Sequence, residues 1–366
     1  MVAVDALLER SFWGAREDLH AEFLRLLTSA QDGGATVAEC LLAARRMDRD
    51  DDSSWFRELT RIAELNRQRG DAAFARGERV TAASNWLRAV NYYLAALFPL
   101  RETDARWRAS VASMRECAGR HLEVSAGEVV TIPCFEGYAL QGYLLPAAGA
   151  SRPYPTVVCL GEPGHRKEEY LFKLAGHAAA RKLTLLACDL WGESDENGLA
   201  GAVGHPALES AIPRILDYLS ARPDVDADRI AVLGDGWESS FVARGVASDP
   251  RIAAAVCGAG IWDEHERDYM ARRLQPGGGA DIDLRRNSNR IARRISCPTL
   301  VTLGERGWLD VERVEELVNA WKSASRDVSL KVFKSCETAA EQGHADNPTL
   351  ANEFIFDWLA ARLSAN

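Results

Sequence analysis

The stretch Asp226–Gly258, DADRIAVLGDGWESSFVARGVASDPRIAAAVCG, decides how the chain folds. RIAVLG is a short unbroken apolar run of strand length, GDG is a turn signal, SFVARGVAS has helical spacing, and IAAAVCG is a second apolar run. A strand with no polar alternation is covered on both faces. Two of them joined through a helix lie parallel.

The same alternation continues on both sides. TVVCL (156–160) precedes KEEYLFKLAGHAAARK, and LTLLACD (183–189) precedes ALESAIPRILDYLSARP. Downstream, PTLVTLG (298–304) precedes VERVEELVNAWKSA, and VSLKVF (328–333) precedes TLANEFIFDWLAARL. Ahead of them EVVTIPCFEGYALQGYLLP (128–146) reads as two strands about a turn at Glu136-Gly137. The prediction is an α/β domain over 126–366, with a mostly parallel sheet and helices on both faces. Its ligand site belongs at the C-terminal ends of the strands.

Residues 1–125 have a different period. Leu19, Phe23, Leu26 and Leu27, with Phe12, share one helical face; Asp51 to Ser54 offer N-cap chemistry before WFRELTRIAELNRQRG, and Gly70 is a plausible stop. NYYLAALFPL (91–100) is an apolar helix that faces either the second domain or a second subunit, the latter giving a homodimer. We expect an N-terminal all-helical domain.

Composition limits the function classes. Of 366 residues 47% are hydrophobic and 27% charged, as in ordinary globular proteins. A net charge of -9 with no basic run argues against nucleic acid. No window reaches the roughly 18 apolar residues of a membrane span, and MVAVDALLERSFWGARED lacks a signal pattern, so a cytoplasmic location is expected. The eight cysteines are scattered without CxxC spacing and read as mostly buried free thiols. No ligand-spaced cluster implies a metal, and no Gly-rich phosphate loop implies a nucleotide cofactor.

The segment 226–258 resembles the strand-elbow-helix of α/β hydrolases, in which G-x-S-x-G-G presents a serine on a tight turn. From NYYLAALFPL to DNPTLANEFIFDWLAARL, the chain is similar to a branch with an N-terminal helical domain. That branch includes dihydroxypseudooxynicotine hydrolase, fungal naphthopyrone chain-shortening hydrolase and fermentation-respiration switch proteins. The resemblance implies the α/β-hydrolase fold, and a branch chemistry of C–C or ester cleavage in aromatic, often polyketide-like, compounds through a Ser-Asp-His triad.

This chain departs from the motif at each triad position. An elbow needs small residues two before and two after its tip. Ser239 follows Trp237, Ser240 follows Glu238, and Asp235 has Leu233 before it and Trp237 after it. Gly236 alone has a glycine, Gly234, in the preceding slot, with Glu238 in the following one, so Gly236 is read as the vacated nucleophile position. The acid loop is Gly304-Glu305-Arg306-Gly307-Trp308 with an Asp only at Asp310, and counting back from Asp346-Asn347 puts Gln342 at the family's histidine, with His344 two residues later.

Around the strand ends we expect catalytic groups at Glu238, His344 and Asp235, oxyanion-hole N–H groups at Glu162 and Trp237, and substrate contacts from His165, Asp189, Trp191, Glu264, His265 and Trp308. Each has a plainer alternative. Glu238 can be a solvated acid favoured by a helix N-terminus, His344 an exposed loop residue, Asp310 a helix cap, and Asp189 with Glu193 a structural brace. Trp191, Trp237, Trp262 and Trp308 can each be core, although four together suit a wall for a flat ligand.

The function expected is serine-independent cyclisation, dehydration, isomerisation or C–C lysis of an aromatic, polyketide-like small molecule. A catalytically silent binding homologue and a hydrolase using activated water are the alternatives.

Overall fold

In the computed structural model the described residues are 16–48, 50–101, 103–135, 138–147, 149, 152–161, 167–189, 211–236, 242, 246, 249–258, 260, 295–324 and 326–364. The chain divides into two units, Met1–Ala126 with Leu171–Lys173, and Gly127–Tyr170 with Leu174–Asn366.

The first unit carries helices α1 (Glu17–Thr28), α2 (Val37–Ala44), α3 (Asp52–Ala75), α4 (Arg79–Ala96) and α5 (Ala105–Ser125). Asp51 caps α3 by accepting from the Ser53 N–H, as its position before the helix suggested. Leu19, Phe23, Leu26, Trp86, Val90 and Tyr93 are buried as the periodicity requires. Gly70 is not a stop. α3 runs through it to Ala75, and a Cβ built on Gly70 would lie 2.5 Å from Trp86 Cδ1, so the glycine admits the α4 indole against the α3 backbone.

In the second unit the described strands form one eight-stranded sheet: β1 (Glu128–Phe135), β2 (Tyr138–Leu145), β3 (Tyr154–Gly161), β4 (Thr184–Cys188), β5 (Val225–Asp235), β6 (Ala254–Cys257), β7 (Thr299–Gly304) and β8 (Val328–Phe333). Their order is β1-β2-β4-β3-β5-β6-β7-β8, antiparallel from β1 to β4 and parallel from there on. The expected mostly parallel α/β sheet is therefore present, with the predicted hairpin at its edge.

Alternation along each strand sends successive side chains into separate cores. Val158, Leu160 and Val232 join a cluster closed by α8 (Ala211–Ser220) and α9 (Val311–Ser323). Val157, Cys159 and Leu233 join another, closed by Tyr170, Leu174, Ala178 and α10 (Pro348–Leu363). Both faces of β3 and β5 are thus dry, which is why their sequences show no polar phase.

KEEYLFKLAGHAAARK is less regular than its spacing suggested. It holds only the short helices α6 (Tyr170–Lys173) and α7 (Ala175–Ala180), preceded by a turn at Lys167–Glu169. Six of the eight cysteines are buried, with Cys297 half-buried and Cys336 exposed. Among the described residues no helix is long and apolar enough to cross a membrane.

Because Trp86 fills the space beside Gly70, Gly70→Ala is expected to lower stability by about 1–3 kcal/mol, as overpacking does. Helix propensity alone would raise it by about 1 kcal/mol. Chemical denaturation of the two proteins reads the sign directly.

Candidate functional site

The parallel strands end on one rim, and β5 ends at its centre. Gly161 pairs with Asp235 across β3 and β5, and Gly234 pairs with Cys257 across β5 and β6. Gly236 follows with φ +88°, a left-handed conformation that a side chain resists and glycine adopts freely. Gly258 closes the turn from the side: its N–H donates to the Gly234 carbonyl at 2.9 Å, and a Cβ there would come within 2.7 Å of the same oxygen. Of the helix expected to follow, Val242 and Val246 are described, both helical and buried in the core. Asp235 is half-buried on this rim.

Two further loops meet beyond β7. Gly304 lies so close to the Ala340 carbonyl that any side chain would strike it. From there the loops are stitched together: the Arg306 N–H donates to Ala340 O at 2.8 Å, Arg306 Nε to Glu341 Oε1 at 2.7 Å, and the Trp308 N–H to Gln342 Oε1 at 2.9 Å. Asp346 holds the second loop by accepting from the Ala340 and Glu341 N–H groups. Glu305 turns away, accepting from the Ser335 N–H at 2.7 Å; that bond, with Lys334 nearby, holds its carboxyl below the usual range. Asp310 caps α9 by accepting from the Arg313 N–H, the plainer of its two readings. Trp308 stands 37% exposed.

His344 is not an exposed loop residue. It is 4% exposed, with its ring edge against Phe333, Nδ1 2.8 Å from the Ala339 carbonyl and Nε2 3.0 Å from Thr302 Oγ1. A carbonyl only accepts, so Nδ1 carries the proton and Nε2 accepts from the hydroxyl. Both nitrogens are thus engaged in pinning the loop to β7, and this geometry offers neither to a ligand.

Asp189, just after β4, occupies a network that the sequence did not announce. Its carboxylate accepts from the Lys167 N–H at 2.7 Å and from Lys167 Nζ at 2.8 Å. Lys167 Nζ also lies 3.2 Å from Glu168 Oε1, which accepts from the Tyr143 hydroxyl at 2.8 Å. Lys167 is 3% exposed and Glu168 0%. Burial raises the Asp189 pKa, with Lys167 opposing. A Lys-Glu-Glu run ordinarily marks a solvated helix start, so only the identity of Asp189 hinted at this brace.

The structure brings Asp235 and Gly236 together at the end of β5, places Asp189 in the brace, Trp308 beside Gln342, and His344 underneath β7. Glu162, His165, Trp191, Glu193, Trp237, Glu238, Trp262, Glu264 and His265 lie outside the described residues. Among the described residues no group of three or more His, Cys, Asp or Glu side chains could hold a metal.

A family model described as FrsA-like esterase matches residues 49–267. The hydrolyase poxO of Penicillium oxalicum is 31% identical over 253 residues, which cover 66% of this chain and 60% of that protein. The α/β hydrolase xenA of Xenoacremonium sinensis is 31% identical over 246 residues, 64% of this chain and 58% of that one. The chain therefore spans about three-fifths of the length of these curated relatives. In structure it is similar to 2,6-dihydroxy-pseudo-oxynicotine hydrolase, with a TM-score of 0.71 at 18% identity over 92% of this chain and 95% of that one. The resemblance read from the sequence holds at the level of family and fold.

Replacing Lys167 by Met would remove the ammonium that the largely buried Asp189 carboxylate accepts from, a loss of about 3–5 kcal/mol. Without Lys167 the native Asp189 pKa rises further above its unfolded value, so the native state binds more protons. The Lys167→Met protein is therefore expected to gain stability as pH falls from 8 to 5, measured by urea denaturation at each pH.

Proposed function

The chain belongs to the FrsA-like esterase family, and from that membership we propose that it acts on an aromatic, polyketide-like small molecule without forming an acyl-enzyme. The observation that supports this reading is Gly236, at the end of β5 with φ +88°, the residue we align with the family's serine. Gln342 in the histidine segment, with its carbonyl end taken by the Trp308 N–H, supports it. The two hydrogen bonds of the His344 ring support assigning the proton transfer to another residue.

The chemistry that suits such a rim is enolisation. A carboxylate at the elbow, Asp235 or Glu238, takes the proton next to a carbonyl. The enolate oxygen is held by backbone N–H groups, for which Glu162 and Trp237 are our candidates. In a dehydration the same carboxyl returns its proton to the departing hydroxyl, so that one water leaves for each double bond formed. Elimination of this kind fits the hydrolyase name of the Penicillium relative, and cyclisation, isomerisation and C–C lysis share its first step. We place the activity in the cytoplasm. A binding homologue without turnover is the second reading, favoured by the locked His344.

An aromatic β-hydroxyketone is expected to be dehydrated by the wild-type protein, followed by its ultraviolet spectrum, with the rate falling about 10²-fold or more in Asp235→Asn or Glu238→Gln. p-Nitrophenyl acetate should give no burst of nitrophenol. A burst stoichiometric with protein contradicts the proposal, and binding of the ketone without dehydration selects the second reading.

A further inference from the structure

Leu171, Phe172 and Lys173 belong to the helical unit, whereas Tyr170 before them and Leu174 after them belong to the unit of the sheet. Tyr170 and Leu174 are fully buried in the core that holds Val157, Cys159 and Leu185. The backbone therefore leaves the sheet's unit and rejoins it within a few residues, and both ends of that excursion are fixed. Apart from the junction at Ala126 and Gly127, this is where the chain passes between the units.

Within the helical unit Phe172 is buried against Gly34, in the turn between α1 and α2. A Cβ on that glycine would lie 2.7 Å from the ring atoms Cγ and Cδ2, so the bare backbone is what admits the ring. The turn is itself held. The Gly34 N–H donates to the Ser29 carbonyl at 2.9 Å, and the amide of the buried Asn91, on α4, donates to the Gly34 carbonyl at 3.0 Å and to Ser29 Oγ at 2.7 Å. A ring packed on so restrained a turn moves when the turn moves, because close-packed groups leave no space to take up a displacement.

On its N-terminal side the excursion adjoins the brace on the rim. The Tyr170 N–H donates to the Lys167 carbonyl at 3.2 Å, which closes the turn whose Lys167 N–H and Nζ are both held by Asp189 at the end of β4. We propose that Phe172 is a positioning residue that links the α1–α2 turn of the helical unit to the Lys167–Asp189 brace, so that loosening the turn loosens the brace. The link is a property of the fold and operates whatever the substrate.

Hydrogen exchange of the whole chain, read by mass spectrometry, tests this link, because the Lys167 N–H reports the bond to Asp189. Two substitutions disturb the contact from opposite sides. Phe172→Ala removes the ring, and Gly34→Ala drives a methyl group against it from a distant part of the sequence. Each is expected to speed exchange at Lys167 about tenfold while β5 and β7 exchange as in the wild type, as in a local opening. Phe172→Leu and Asn91→Ser, which frees the Gly34 carbonyl, provide the same comparisons should either alanine variant not fold. Unchanged exchange at Lys167 in Gly34→Ala overturns the link even where Phe172→Ala speeds it, since the effect is then confined to neighbouring residues of the chain. A rise shared equally by β5 and β7 overturns it as well, since that is general destabilisation.

Discussion

At the centre of the sheet, β5 ends where Gly234, Gly236 and Gly258 leave little room for side chains. The backbone at 236 is left-handed, and Gly258 presses on the Gly234 carbonyl from the next strand. A side chain at 258 would push the strand ends apart, and one at 236 would be strained. In hydrolases of this fold the strain is accepted because it thrusts a serine hydroxyl into the site. Here Gly236 occupies the left-handed position and adopts it without strain.

The consequences reach the neighbouring loops. His344 uses both ring nitrogens to hold the loop beside β7. Glu305 accepts from the Ser335 N–H. Among the described residues the rim carries a braced carboxylate at Asp189, a half-buried one at Asp235, Trp308 and an oriented amide at Gln342. In the function proposed above these groups hold an oxygen and move a proton.

The fold was legible because periodicity is a local property. The unbroken runs of β3 and β5 state that both faces are covered, and the small residues around 236 state that the turn is tight. The same reasoning failed at Gly70, where a glycine read as a helix end instead admits Trp86, a contact made across 16 residues. It failed at Lys167 and Glu168, since burial of a charge depends on partners such as Asp189 and Tyr143 that come from other strands. His344 could be placed near the site by counting, but the engagement of its ring rests on Thr302, 42 residues away. Side-chain satisfaction is a tertiary property, and no spacing rule encodes it.

The central claim is that no activated hydroxyl stands at the elbow. Intact-mass measurement after incubation with an excess of a fluorophosphonate tests it most directly, because the reagent reacts with a nucleophilic serine whatever the natural substrate is. The account predicts an unchanged mass. A single stoichiometric adduct mapping to Ser239 or Ser240 would contradict it.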